Sequence, residues 1–144
     1  MKIKGQKGAS AVEFAIVLPV LVLLLVGTME FSVLLYDKAV ITNASREGAR
    51  AGIVFSHPNG KISVAEIQAI VNNYCAGHMI TFGAAQVPNI FVSEAGSGSA
   101  SDPFTRTVRV TYHYDFLVIP NFISNLAGGI DLAAETVMRM EVQS

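Results

Sequence analysis

Between Phe14 and Met29 the chain runs sixteen residues without a charge, and Lys2, Lys4 and Lys7 stand just ahead of that run. A helix of this length covers about 24 Å, slightly less than the roughly 30 Å of bilayer hydrocarbon. Glu30 interrupts, and Phe31–Tyr36 is again uncharged. With that extension the segment can span, leaving Glu30 near the far interface or turned toward protein. The lysines predict that the short leading end stays in the cytoplasm and the rest faces out. Removing residues 1–8 would leave seven basic against eleven acidic groups, a side-chain charge of −4. No basic stripe of a nucleic-acid binder exists in such a chain.

Two ordinary readings of the N-terminus compete. A cleavable secretory signal needs a small-x-small site, but the residues after Val26 read GTMEFSVLL. A plain signal anchor fits the hydropathy and leaves Gly8 and Glu13 unexplained. Glu13 has a local reading too, because Ser10-Ala11-Val12-Glu13 matches a capping box, and a carboxylate in a first helical turn is favoured. That gain is about 1 kcal/mol, whereas carrying a charge deep into hydrocarbon costs several times more. A cap accounts for Glu13 only at headgroup depth.

The order basic leader, Gly8, four residues, Glu13, Phe14 and apolar helix resembles the processing site of type IV prepilins. GASAVEFAIVLP, TNASREGARAG and the terminal ETVMRMEV together resemble the TadE-like pseudopilins of the Tad (Flp) tight-adherence pilus system. The resemblance implies cleavage between Gly8 and Ala9 by a prepilin peptidase. It also implies that Glu13, beside Phe14, neutralises the freed Ala9 amine of a neighbouring subunit during assembly. An ammonium and a carboxylate that pair can enter an apolar bundle together, while either alone is strongly penalised. Further implied partners are the major Flp-type pilin, other pseudopilins, the inner-membrane assembly platform and membrane lipid. The expected location is the cytoplasmic membrane, crossed once.

The expected organisation is a leader at 1–8, a membrane and assembly helix at 9–36, its outer continuation at 37–56, and an extracytoplasmic α+β domain at 57–144. No proline occurs between Asp37 and His57, so the first helix should run to about Phe55. Ala44, Gly48 and Gly52 recur every fourth residue, a smooth stripe for close helix packing, against either this chain's own sheet or another subunit. His57-Pro58-Asn59-Gly60 should end the helix. A second capping box, Ser63 to Glu66, starts a short helix with Val64, Ile67, Val71 and Tyr74 inward and Gly77 as its stop. Strands follow at Asn89–Glu94, at Thr107–Phe116 and from Ile130 onward. In the second, Val108, Val110, Tyr112 and Tyr114 share one face; in the third, Ile130, Leu132, Ala134, Thr136, Met138, Met140 and Val142 do. Residues 95–103 read as a flexible connection. A three-stranded antiparallel sheet with one apolar face must be covered by both helices, a pilin-like head. The apolar stretch Phe116–Ile123 either closes the core or forms a partner surface.

No catalytic constellation emerges. Cys75 excludes an internal disulfide, being the single cysteine, and reads as a small apolar residue or an intermolecular link. Cys75-x-x-His78 supplies two of the three or four ligands a zinc site needs. Gly96-Ser97-Gly98-Ser99 lacks the lysine of a phosphate loop. The chain is expected to be a peptidase substrate, not an enzyme, with no metal or cofactor. The competing readings are an unprocessed single-span protein whose outer domain binds an envelope partner, and a domain secreted by ordinary signal peptidase.

Overall fold

A computed structural model describes residues 6–54, 62–81, 87–97, 99, 101–116 and 128–140. Helix α1 (Gln6–Ile53) is followed by α2 (Val64–His78), β1 (Asn89–Ala95), β2 (Thr105–Tyr114) and β3 (Ile130–Arg139). The strands form one antiparallel sheet in the order β1-β2-β3. This is an α+β chain: a long helical stalk whose outer half, with α2, covers one face of the sheet. The turn expected at His57–Gly60 and the apolar stretch after Phe116 lie outside the described residues.

The sheet follows from period-two patterning. Val108, Val110, Tyr112 and Tyr114 of β2 are buried, as are Leu132, Ala134 and Met140 in or just after β3. Thr107, Arg109, Thr111 and His113 occupy the opposite face, where Arg109 pairs with Glu135 across the register. The core gathers Ile41, Ala44 and Ala49 of α1, Ile67, Val71 and Cys75 of α2, and the inward residues of all three strands. Burial of aliphatic side chains in such a cluster contributes about 1.5–3 kcal/mol each, offset by the entropy of ordering them.

Several boundaries differ from expectation. α1 starts at Gln6, so Ser10 is already inside the helix and no helix start exists at which Ser10 and Glu13 could form a capping box. A local motif does not register that the helix already runs through Gln6–Ala9 ahead of it. α1 ends at Ile53, two residues early, and continues through Pro19. α2 does begin with its capping box: Glu66 N–H donates to Ser63 Oγ at 3.3 Å, and Ser63 N–H to Glu66 Oε2 at 2.9 Å. It runs past Gly77 to His78 and is capped at Met79, whose φ is −73°, so no left-handed glycine is used. Its buried stripe is Ile67, Val71 and Cys75, with Tyr74 half-buried at the margin, while Val64 shares the stripe's face but is exposed at the helix's first residue. Among the described residues after β1, Ser97 N–H donates to Asp102 Oδ2 at 2.9 Å, and Gly96 takes the left-handed φ of +104° that the turn requires.

The small residues of α1 set its distance from α2. A Cβ built on Gly48 would lie 2.4 Å from Val71 Cγ2, and one on Gly52 would lie 2.9 Å from Ile67 Cδ1 and 3.1 Å from Arg106 Cγ. Val71 is fully buried and stiff at χ1, so it has nowhere to move. Gly48→Ala is therefore expected to destabilise by about 1–2 kcal/mol, overpacking outweighing alanine's helix propensity. Denaturant unfolding in detergent checks this, and Val71→Ala in the same chain should recover part of the loss, so that the double variant loses less than the sum.

Candidate functional site: the stalk helix and its junction with the head

α1 changes character at Glu30. From Gly8 to Met29 no residue is buried, and Val12, Phe14, Ile16 and Leu24 are each more than half exposed. Of the positions singled out at this end, a Cβ on Gly8 would meet nothing within 4 Å, and Ala9, Glu13 and Phe14 stand free of the head. They share one exposed end of the helix. Ala44, Gly48 and Gly52 lie at the other, against the chain's own α2 and sheet, tens of ångströms away along the axis. The helix is long and apolar enough to cross a membrane, with its most apolar window wholly uncovered.

From Glu30 on, one side of α1 is covered by the head, and the contact begins with buried polar groups. Glu30 is 2% exposed and its Oε1 accepts the Tyr114 hydroxyl proton at 2.6 Å. One heptad on, Asp37 is fully buried and its Oδ1 accepts from Ile80 N–H at 2.9 Å, in the segment that follows α2. Asp37 Oδ2 has no hydrogen-bond partner among the described residues. Loss of hydration therefore raises the Asp37 carboxyl above its ordinary pKa, opposed by the Ile80 hydrogen bond. Lys38 Nζ donates to the Ala133 carbonyl, and the Ser45 and Thr136 hydroxyls share a 2.8 Å bond, so β3 is fastened to α1 at two heights. At the far end Arg106, lying over Gly52, pairs with Glu94 at 3.2 Å. The Glu30–Tyr114 and Asp37–Ile80 pairs carry no sequence signature, because each depends on how β2 and the end of α2 register along α1.

The remaining chemistry-bearing residues do not converge. Cys75 is buried between α1 and the sheet, and burial pushes its thiol up to about 11, which makes it a poor nucleophile. His78 stacks on Tyr74 and bonds its carbonyl oxygen, turned away from Cys75. His113 is held by Asp131 at 2.6 Å and approached by Asp115 at 3.4 Å, carboxylates that take opposite ring nitrogens and so do not chelate. Among the described residues no group of three or more potential ligands could hold a metal ion.

Two pH dependences follow. The Asp37 penalty is fully present above its raised folded-state value and disappears toward 3.8, so stability should rise on acidification through that window. Asp37→Asn should flatten that rise in denaturant melts measured across the acid range. His113 is raised in the folded state, chiefly by its bond to Asp131; its stabilisation is complete below 6.5 and is lost as pH climbs through the higher folded value. His113→Gln should therefore cost stability at pH values below 6.5 and little in alkali.

No curated protein and no solved structure matches the chain. Residues 8–50 match the family model described as TadE-like protein, a region that begins at Gly8, takes in the whole uncovered run and ends at Arg50, an exposed position in the part of α1 that packs beneath the head. Over those residues the stalk helix is similar to TadE-like proteins.

Proposed function

We propose that this protein is a pseudopilin, or minor pilin subunit, that takes part in assembly of the Tad (Flp) pilus. It sits in the cytoplasmic membrane with Lys2, Lys4 and Lys7 inside and its head outside, and a prepilin peptidase cleaves it after Gly8. The observation that carries this reading is the TadE-like helix itself, apolar and uncovered over its full circumference from Gly8 to Met29. A surface of that kind suits lipid before assembly and other apolar helices after it. The match to a family of pilus components, together with the scatter of Cys75 and the histidines, favours a structural over an enzymatic role.

Cleavage would alter the helix end in a physically useful way. The intact helix already runs through Gly8 and Ala9, so Glu13 lies in its interior. Removing residues 1–8 would make Ala9 the first residue, place an ammonium there and bring Glu13 near the new N-terminus. The positive end of the helix dipole and the amine then both favour a carboxylate nearby, from the same or a neighbouring chain. Prepilin peptidase, the Flp-type pilin, other pseudopilins and the membrane assembly platform are the partners this reading requires.

Intact mass and N-terminal sequencing of the protein from pilus-building cells test the proposal. Chains beginning at Ala9, and full length when the peptidase gene is deleted, are expected. Gly8→Ala should leave the leader attached, and since nothing lies near that position the helix accommodates the methyl group without refolding. Glu13→Gln should be cleaved normally yet fail to enter sheared pili. Full-length chains in cells with an active peptidase would instead establish an unprocessed single-span protein with an outer binding domain.

A further inference from the structure

The head's lower edge can be placed along α1 by two independent routes. Tyr114 reaches Glu30 directly, and Ile130 is the register partner of Tyr114. Lys38 bonds Ala133; descending three strand residues from there covers about 10 Å, and descending eight helical residues from Lys38 covers about 12 Å, ending at Ile130 and Glu30 respectively. Ile130 and Glu30 are therefore at nearly the same height. Val87 lies beside Asn89, His113 and Asp131, within about one strand residue of that level.

That height conflicts with a head standing clear of the bilayer. The charge-free run that ends at Met29 is about 24 Å long, some 6 Å short of the hydrocarbon thickness, so the apolar layer reaches past Glu30. At that depth α1 has two unlike sides. Glu30 is covered by Tyr114, while Phe31 (60% exposed), Leu35 (50%) and Tyr36 (45%) are apolar and uncovered on the other side. Farther out the uncovered side turns polar, at Asn43, Arg46, Glu47 and Arg50. The head contributes two exposed apolar side chains at the same level, Ile130 (42%) and Val87 (77%).

Resting on the membrane-anchored reading above, we propose that Phe31, Leu35 and Tyr36 on the stalk and Val87 and Ile130 on the head form one band that seats in the interfacial layer of the bilayer. Lipid is the occupant because the stalk part of the band continues directly from the exposed spanning surface, with no polar turn between them. Tyr36 at this depth matches the preference of amphipathic aromatic rings for the membrane–water boundary. The head then touches lipid, and the carboxylate of Glu30 crosses the edge of the apolar layer beneath a tyrosine cover rather than in contact with hydrocarbon.

The sequence contains no tryptophan, so single substitutions report cleanly. The full chain is reconstituted in phosphatidylcholine nanodiscs whose lipids are brominated either near the glycerol or near the chain ends. Y36W, V87W and I130W should lose emission to the shallow bromines and shift to the blue. L21W should be quenched by the deep ones. V137W, exposed on β3 about 23 Å above Ile130, should be unaffected by either. If L21W is quenched while I130W and V87W keep their emission, the head stands clear of the bilayer and the band is refuted, even with Y36W quenched. If L21W also escapes quenching, the membrane anchoring on which the band rests fails with it.

Discussion

The structure depends on the seating of a sheet and a short helix along one side of α1, beginning at Glu30. From Gly8 to Met29 no residue of the helix is buried; from Asp37 on, one side of it is buried at Val40, Ile41, Ala44, Ser45, Gly48, Ala49 and Gly52. Apolar packing supplies most of the free energy, through Ile41, Ala44, Ile67, Val71 and the inward residues of β2. Packing alone leaves the height of the head along a uniform helix weakly specified. The Tyr114–Glu30, Ile80–Asp37 and Thr136–Ser45 bonds remove that freedom, since sliding the sheet by one turn would strand buried polar groups.

These polar fasteners differ in quality. Glu30 and Ser45 are bonded on geometry that satisfies both partners. Asp37 is not: it is fully buried, one oxygen has a backbone N–H, and the other has no partner among the described residues. An isoleucine or leucine there would fill the core without that penalty, but would also lose the bond that orients the chain leaving α2. The carboxyl is thus a positional constraint that costs stability, a pattern seen where buried polar groups fix register.

Much of this was legible from residue spacing, and the failures have identifiable causes. β2 declares itself because alternation survives its whole length, β3 alternates from Leu132 on, and the second capping box stands at a true helix start. The apolar stripe of α2 holds at Ile67 and Val71, and Tyr74 packs at its edge; Cys75 joins them and Val64, at the helix's first residue, does not, because only the packing partners decide how far the covered face extends. Ser10 and Glu13 form a capping sequence in the wrong place, because helix starts are set by what precedes them. Gly48 and Gly52 signal close approach without naming the partner, and that partner is the chain's own α2 together with Arg106 and Val108 of β2. The pairing of Tyr114 with Glu30 has no local signature at all, being a property of two elements eighty-four positions apart.

Because α1 passes from its uncovered run into the head without an intervening loop, the molecule has no swivel there. A helical residue turns by 100° and climbs 1.5 Å, so any screw motion imposed on the buried end is delivered undiminished to the sheet. The outward-facing surface with Phe91, Arg109 and His113 therefore has its compass bearing dictated by whichever neighbours grip the stalk.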